Sequence, residues 1–265
     1  MKRASLLGAL VLGLTLGAWV FSLASGYDVV ADVDVARASQ TPSVAHLLGT
    51  DHLGRDVARR LIAASEAFVG PGLLAAAVAT LTGGLGGTAA GWWGGPVALA
   101  LRYGFTVVAS IPRFVLVLLA CAIYGNEVGV IALFAGLAYA PALAEAVFIR
   151  LESFRQAEFV LAARAHGVPA WRVLLYHLLW VNCRGLFARH ALQVFAFLLL
   201  VESTLSYIGG FGVSEPQPSW GNMIAFEWGV RDGNLWAAAA PALALWSVLL
   251  GASLLAEAVG EGPGG

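Results

Sequence analysis

Lysine is almost absent from this 265-residue chain, whose 15 basic residues include one lysine, Lys2. A phosphate-binding loop of the GxxxxGK[ST] type needs a lysine on the nucleotide phosphates. The shortage of lysine therefore excludes such a loop, and we expect no nucleotide site in this chain.

Cysteine is also scarce, and catalytic or metal-binding patterns are missing. Cys121 lies in an apolar run and Cys183 in an arginine-rich segment, which argues against a disulfide framework or a metal-type cysteine pair. Ser203 and Ser206 have no His and Asp nearby in the sequence to form a nucleophilic triad. The histidines lack metal-ligand spacing. They are His46, His52, His166, His177 and His190. We expect no catalytic residue, no metal site and no enzyme activity.

Charged residues make up 12% of the chain, whereas hydrophobic residues make up 59%. A water-exposed protein surface does not have this composition. Membrane-crossing segments of about 20 apolar residues must be helical, because unpaired backbone groups are too costly in hydrocarbon. The composition therefore predicts an all-α polytopic membrane protein with about six transmembrane helices.

Six apolar runs are long enough to be candidate spans. They cover residues 6–23, 70–92, 97–124, 128–148, 191–208 and 235–256. Lys2 and Arg3 precede the first run, and a cluster of arginines separates the fourth from the fifth. These are Arg150, Arg155, Arg164, Arg172, Arg184 and Arg189. The positive-inside rule then predicts cytoplasmic N- and C-termini.

The same topology divides the chain into segments. We expect an N-terminal transmembrane anchor at 1–25, an external segment at 26–68 and a five-helix core at 69–260. The core would include a cytoplasmic loop at 150–189 and an external loop at 209–234. Residues 1–25 also resemble a cleavable signal peptide, but the apolar run is longer than the about 7–15 residues of a typical signal core. We therefore favour a retained anchor.

Residues 158–181 predict a helix, a tight turn and a second helix. Helical spacing continues to His166, Gly167 then ends the first helix, and Pro169 begins the second. From the residues alone two interpretations stay open. The segment is either a compact lever that seats in another protein or an amphipathic connector that pins two helices to the membrane surface.

Three ordered segments carry short motifs. Their residues are Gly49, Thr50, Asp51, Gly54, Arg55 and Asp56; then Glu158, Ala162, Ala163, Arg164 and Gly167; then Glu202, Leu205, Ser206, Pro216, Pro218, Ser219, Trp220, Gly221 and Asn222. Together with Ser110, Ile111 and Pro112 in the third run, these motifs resemble those of ABC importer permeases of the dipeptide and oligopeptide family.

The resemblance implies an ABC type I importer permease fold in a bacterial or archaeal cytoplasmic membrane. It implies a second homologous permease, two ABC ATPase subunits that bind ATP and Mg, and an extracytoplasmic solute-binding protein. No nucleic-acid partner is expected. The second motif would be the coupling loop that meets an ATPase, and the solute would be a peptide or a similar small polar molecule. This chain differs from the usual family residues at Glu66, Phe105 and Trp180, where arginine, aspartate and proline are common.

A carboxyl group in an apolar run is costly, which makes Glu202 a functional candidate. With Ser206, Ser110 and Pro112 it forms our set of pathway or gating candidates, although packing roles remain open for all four. We expect Pro112 to bend the third helix. A ladder of Gly83, Gly87 and Gly91 predicts close helix packing.

Two other functional classes fit the sequence less well. An ion-coupled secondary transporter should show paired halves with several charges near the membrane midplane, and Glu202 is the one such charge that we identify. An intramembrane enzyme would need facing catalytic residues at membrane depth, which the sequence does not supply.

Overall fold

The computed structural model describes residues 2–26, 28, 32–154, 157–228 and 235–260, without the side chains of Lys2 and Arg164. Helices dominate these residues. They are α1 (Lys2–Ser25), α2 (Val57–Ala63), α3 (Val69–Trp93), α4 (Gly95–Ala109), α5 (Arg113–Tyr124), α6 (Val128–Phe154), α7 (Glu158–Ala165), α8 (Ala170–Arg172), a π-type segment (Val173–Val181), α9 (Asn182–Ile208), α10 (Trp220–Trp228) and α11 (Leu235–Gly260). Short 3₁₀ turns cover Val35–Arg37 and Ala64–Ala67. The predicted all-α fold is confirmed.

Five helical stretches of the described residues are long and apolar enough to cross a membrane, and the α4–α5 pair gives a sixth if it is counted as one span. The five are Arg3–Ser25, Val57–Trp93, Val128–Phe154, Ala170–Ile208 and Leu235–Gly260. Each of the six predicted runs is therefore matched by helix, and the chain is a multi-pass membrane protein.

The third run differs from the expected bent helix, because α4 and α5 are separate helices that meet at an angle of 80°. Pro112 cannot donate a backbone hydrogen bond, and it stands immediately before α5. Ser110 Oγ donates to Val107 O at 2.7 Å and so satisfies a carbonyl at the end of α4.

The fifth span begins earlier than the sequence predicts. Helical structure runs without a gap through Ala170–Ile208, so the second helix of the 158–181 segment is the start of the membrane-crossing rod. Its π-type turns are wider than α-helical turns. Trp180 lies in these turns and is exposed.

Close packing of α3 on α6 explains the glycine ladder. A Cβ atom at these positions would lie within 3 Å of α6: Gly83 faces Ala140 O, Gly87 faces Ala144 O and Gly91 faces Leu151 Cβ. The predicted close helix packing is confirmed. Buried side chains of α5 and α9 pack beside this pair to form the central core.

The bundle has two ends that matter for function. At the first, called the α2 end, residues 32–68 and 209–228 cover the tops of the long helices. At the second, called the α7 end, residues 157–181 pack against the last turns of α6 and the start of α9. Since α9 runs from one end to the other, it connects the two regions directly.

Candidate functional site

A ring of two acidic and two basic side chains lies at the α2 end. Arg55 donates from Nε to Asp51 Oδ2 at 2.6 Å and from Nη1 to Glu215 Oε2 at 2.7 Å. Arg60 donates from Nη1 to Asp51 Oδ2 at 2.5 Å and from Nη2 to Glu215 Oε1 at 2.7 Å. Each carboxylate contacts both guanidinium groups, and the four charges cancel. We call this arrangement the Asp51–Glu215 ring.

The ring is largely shielded from water. The side chains of Asp51, Arg55 and Arg60 are at most 3% exposed, and that of Glu215 is 22% exposed. Burial raises the pKa of the Glu215 carboxyl above its ordinary value, while the adjacent Arg55 charge acts in the opposite direction. Removing one charge would leave a buried partner uncompensated, so the ring fixes the position of the 209–219 loop on residues 51–60.

The first motif forms the turn that presents the ring. Asp51 Oδ1 accepts hydrogen bonds from the backbone N–H groups of Leu53 and Arg55, each at 2.9 Å. Gly54 has a φ of +79°, and a Cβ there would lie 1.8 Å from Asp34 O. Only glycine fits this position. The geometry of one buried turn therefore explains the identity of Asp51, Gly54 and Arg55 in this motif.

The rest of the first motif attaches this turn to its surroundings. Asp56 caps α2 by accepting from Arg59 N at 2.9 Å. Thr50 Oγ1 accepts from Gln40 N at 2.9 Å, and a Cβ at Gly49 would lie 2.3 Å from Gln40 O. These contacts give every residue of the first motif a structural role at the α2 end.

The third motif folds back on itself through Asn222. Its Nδ2 donates to Gln217 O at 2.9 Å and to Val213 O at 3.2 Å, and its Oδ1 accepts from Ser219 N at 3.0 Å. Ser219 Oγ accepts in turn from Gly221 N at 3.1 Å. The amide of Asn222 thus closes the loop that carries Glu215.

Two neighbouring residues dock this loop on the bundle. Trp220 Nε1 donates to Leu61 O at 3.0 Å, and its ring lies 4.5 Å from that of Phe68. A Cβ at Gly221 would lie 2.0 Å from Ser203 O, so α9 and α10 touch backbone to backbone. The first and third motifs, far apart in sequence, are therefore parts of one cluster.

Glu202 is fully buried and belongs to the same cluster. Ser206 Oγ donates to Glu202 Oε1 at 2.7 Å and accepts from Val213 N at 2.9 Å. Pro218 of the same loop lines a small cavity of about 260 Å³ together with Val213 and Glu66. Glu202 and Ser206 thus attach the 209–219 loop to α9, and their assignment to a pathway stays a prediction.

The break at Ser110 and Pro112 borders a larger cavity of about 670 Å³ between α4 and α6. Arg102 and Glu145 face each other across it in a two-bond ion pair with distances of 2.7 and 3.1 Å. Arg113, immediately after Pro112, places its guanidinium carbon 4.0 Å from the centre of the Tyr139 ring. The broken helix therefore brings cationic side chains to the side of α6.

The second motif forms a short helix with a glycine turn at the α7 end. His166 N donates to Ala162 O and Val168 N donates to Ala163 O, each at 3.0 Å, which closes the last turn of α7. Gly167 has a φ of +75°, the left-handed conformation typical of a helix C-terminus. The predicted helix and turn are confirmed.

One side of α7 is buried and the other is open. Val160 and Val173 are fully buried in an apolar cluster with Leu151 at the end of α6. Phe159 and Leu161, which flank Val160 on the helix, are 43% and 53% exposed. Glu158, Ala162 and Gly167 are also exposed, whereas the Arg164 side chain and residues 155–156 lie outside the described residues. The arrangement is a rigid base with an outward apolar surface, which we call the α7 surface.

Three residues of these sites are not predicted by the sequence motifs: Arg60, Glu215 and Arg113. Arg60 lies one turn beyond Arg55 on the α2 side, and Glu215 directly precedes Pro216 of the third motif, so their proximity to motifs was the available signal. Arg113 follows Pro112 inside a predicted membrane run, where a charge is costly. Among the residues that the structure describes, no group of three His, Cys, Asp or Glu side chains could hold a metal ion.

Comparison with known proteins places these features in context. The sequence profile of the family described as "Binding-protein-dependent transport system inner membrane component" matches residues 83–262. The dipeptide transport system permease protein DppC of Alkalihalophilus pseudofirmus is 24% identical over 227 residues, which cover 86% of this chain and 74% of that protein.

Two further relatives are similar over shorter stretches. The oligopeptide transport system permease protein OppC of Haemophilus influenzae is 28% identical over 222 residues, or 83% of this chain and 69% of its own. A Brucella suis protein provisionally named a peptide transport system permease is 30% identical over 186 residues, or 70% of this chain and 62% of its own. The chain thus spans about two thirds to three quarters of these relatives.

Proposed function

The chain belongs to the family of binding-protein-dependent transport system inner membrane components, the permeases of ABC importers, and we propose that it forms part of the pathway of an ATP-driven peptide importer. The observation that carries this proposal is the α7 surface, which is apolar and exposed although its base is firmly buried. An exposed apolar surface on an anchored helix suits a stable contact with another protein.

The partner at the α7 surface would be an ABC ATPase on the cytoplasmic side. Arginines concentrate on either side of α7, which supports a cytoplasmic position for this end and for both termini. The motif residues Glu158, Ala162, Ala163, Arg164 and Gly167 support the assignment through their resemblance to a coupling loop. A second ATPase would act on a homologous permease, and the two permeases together would line the pathway.

Movement of α7 would reach the pathway through buried contacts. Val160 of α7 packs in one cluster with Leu151 of α6 and Val173 of the 170–208 rod, so a push on α7 moves both long helices as rigid elements. ATP-driven closure of the ATPases would tilt these helices and exchange an inward-open cavity for an outward-open one. ATP and Mg would bind only the ATPase subunits.

Peptides are the solute class that the relatives favour, since two of them are named as dipeptide and oligopeptide permeases. An extracytoplasmic binding protein would deliver the solute to the α2 end, where the Asp51–Glu215 ring keeps the surface loops in a fixed arrangement. A fixed docking surface lowers the ordering cost of binding.

Reconstituted transport tests the proposal. Liposomes would contain this chain with its partner permease and ATPases, and receive the binding protein and radiolabelled dialanine outside. We expect dialanine to accumulate inside the liposomes only when ATP is supplied to the ATPase subunits, and to do so without any ion gradient. Uptake that follows an ion gradient and ignores ATP would contradict the proposal and favour a secondary transporter.

A further inference from the structure

Arg113 is a cation near membrane mid-depth that has no counter-ion within the described part of the chain. It begins α5 at the break in the third span, and its guanidinium stacks on Tyr139 near the middle of α6. No carboxylate of the described residues lies within ion-pairing distance of it, in contrast to Arg102, which pairs with Glu145.

A charge at this depth is expensive unless it faces water or an opposite charge. Stacking on a ring stabilises a guanidinium through its face and leaves its N–H edge available for a planar anion. The residue is exposed on the isolated chain. Arg113 is therefore positioned to receive an anion from outside the chain.

Two cavities meet at this residue. The cavity of about 670 Å³ between α4 and α6 and a second one of about 440 Å³ beside α6, α9 and α11 share Arg113 and Ala142 in their walls. In the first cavity the Arg102 and Glu145 charges cancel, and the second also contains Arg189 and Glu257. Arg113 is thus the charged residue that lines both cavities.

His190 gives a second indication of a ligand. It lines the 440 Å³ cavity, it is 6% exposed, and its buried Nε2 has no hydrogen-bond partner. Buried polar atoms are normally satisfied. His190 therefore adds a polar atom without a hydrogen-bond partner to the wall of the second cavity, which Arg113 also lines.

We propose that Arg113 binds the carboxylate of the transported solute at the junction of these two cavities. A guanidinium offers two parallel N–H groups that match a carboxylate, and the low dielectric strengthens the contact. The uncapped first turn of α5 adds backbone N–H groups beside the same position. The inference rests on the proposed transport function, but the site itself can be tested separately.

The test uses the assembled transporter with Ala142→Cys as a reporter. Ala142 is exposed and lines both cavities, while the native Cys121 and Cys183 are buried. The reaction rates of this thiol with anionic sulfonatoethyl and cationic trimethylammonioethyl methanethiosulfonate are compared with those of a free thiol. We expect the anionic reagent to be favoured about tenfold, because an unpaired cation lies nearby, and we expect Arg113→Gln to abolish this preference.

Matched variants exclude a merely structural effect. The double variant Arg102→Gln/Glu145→Gln removes a pair whose charges cancel, so it should leave the anion preference unchanged, whereas Arg113→Lys should retain most of it. An unchanged preference in Arg113→Gln would overturn the proposal. The proposal would also be overturned if the Ala142→Cys reporter, with Arg113 intact, reacted with the two reagents in the same ratio as a free thiol. That result would mean that a partner subunit already neutralises Arg113.

Ligand protection then identifies the anion. Dialanine should slow labelling at Ala142→Cys, and dialanine amide, which lacks the carboxylate, should not. Protection by acetate but not by dialanine would support a carboxylate site and count against peptide as the solute. Equal protection by dialanine and its amide would overturn recognition through the carboxylate.

Discussion

The two ends of the bundle are built in opposite ways. At the α2 end, charged and polar side chains are buried and bonded to one another, as in the Asp51–Glu215 ring and the Asn222 loop. At the α7 end, a short helix is held by apolar side chains such as Val160, and its outer surface is left open. Buried ion pairs fix geometry at little net gain in stability, whereas an open apolar surface favours association.

The difference indicates a division of labour along the 170–208 rod. The α2 end resists rearrangement because its charges cannot separate without a large cost. The α7 end has an exposed surface that gains from being covered. One rigid end and one docking end, connected by a continuous helix, are suited to convert a push into a tilt of the whole bundle.

Breaking the ring should give the largest loss of stability. Arg55→Met leaves Asp51 and Glu215 with one guanidinium between them, and we expect the free energy of unfolding to fall by about 3–5 kcal/mol. Denaturant titration of the purified protein in detergent measures this. Arg59→Met is the control, because Arg59 is 68% exposed and only 3.6 Å from Asp32, so its loss should cost less than about 1 kcal/mol. Equal losses in both variants would contradict a special role for the ring.

Alanine at two glycines separates close packing from conformational freedom. Gly221→Ala places a Cβ 2.0 Å from Ser203 O, and we expect a loss of about 3 kcal/mol. A Cβ at Gly167 would have no atom within 4 Å, so Gly167→Ala should lower the free energy of unfolding only through its left-handed backbone, by about 1–2 kcal/mol. The same titration compares them. A larger effect at Gly167 would mean that the turn, and not the α9–α10 contact, is the tighter structure.

The base of α7 should depend on Val160 and little on its neighbour. Val160→Ala removes buried methyl groups from the cluster with Leu151, at a cost of about 2 kcal/mol. Leu161→Ala changes a side chain that is 53% exposed, and its cost should stay within about 0.5 kcal/mol in the isolated subunit. Unfolding measurements without partner subunits test this. Similar losses would show that the outer side of α7 is not free.

Hydropathy predicted the long helices well because lipid imposes a simple length rule. Predicted run 70–92 corresponds to Val69–Trp93, and the break was expected at Pro112. The rule does not detect where a helix extends beyond the apolar run, so the rod was predicted to start at residue 191 although it starts at Ala170.

The partners of charged side chains were much harder to predict. Asp51 and Arg55 are close in sequence, but their common partner Glu215 lies 160 residues after Arg55, and only the folded chain brings it near. Glu202 is a pathway candidate in the sequence because a carboxyl group in an apolar run is costly, whereas its bonds to Ser206 and the following loop depend on tertiary structure. Sequence thus identified costly charges but not what satisfies them.

The most direct test of the account is the uptake of dialanine by the assembled transporter with Ala162→Trp. Ala162 lies on the exposed side of α7, so the bulky ring should leave the unfolding of the subunit unchanged while it prevents the ATPase from seating. We expect ATP-driven uptake to be lost and the ATPase to co-purify poorly. Normal uptake with normal co-purification would contradict the claim that the α7 surface couples this permease to its ATPase.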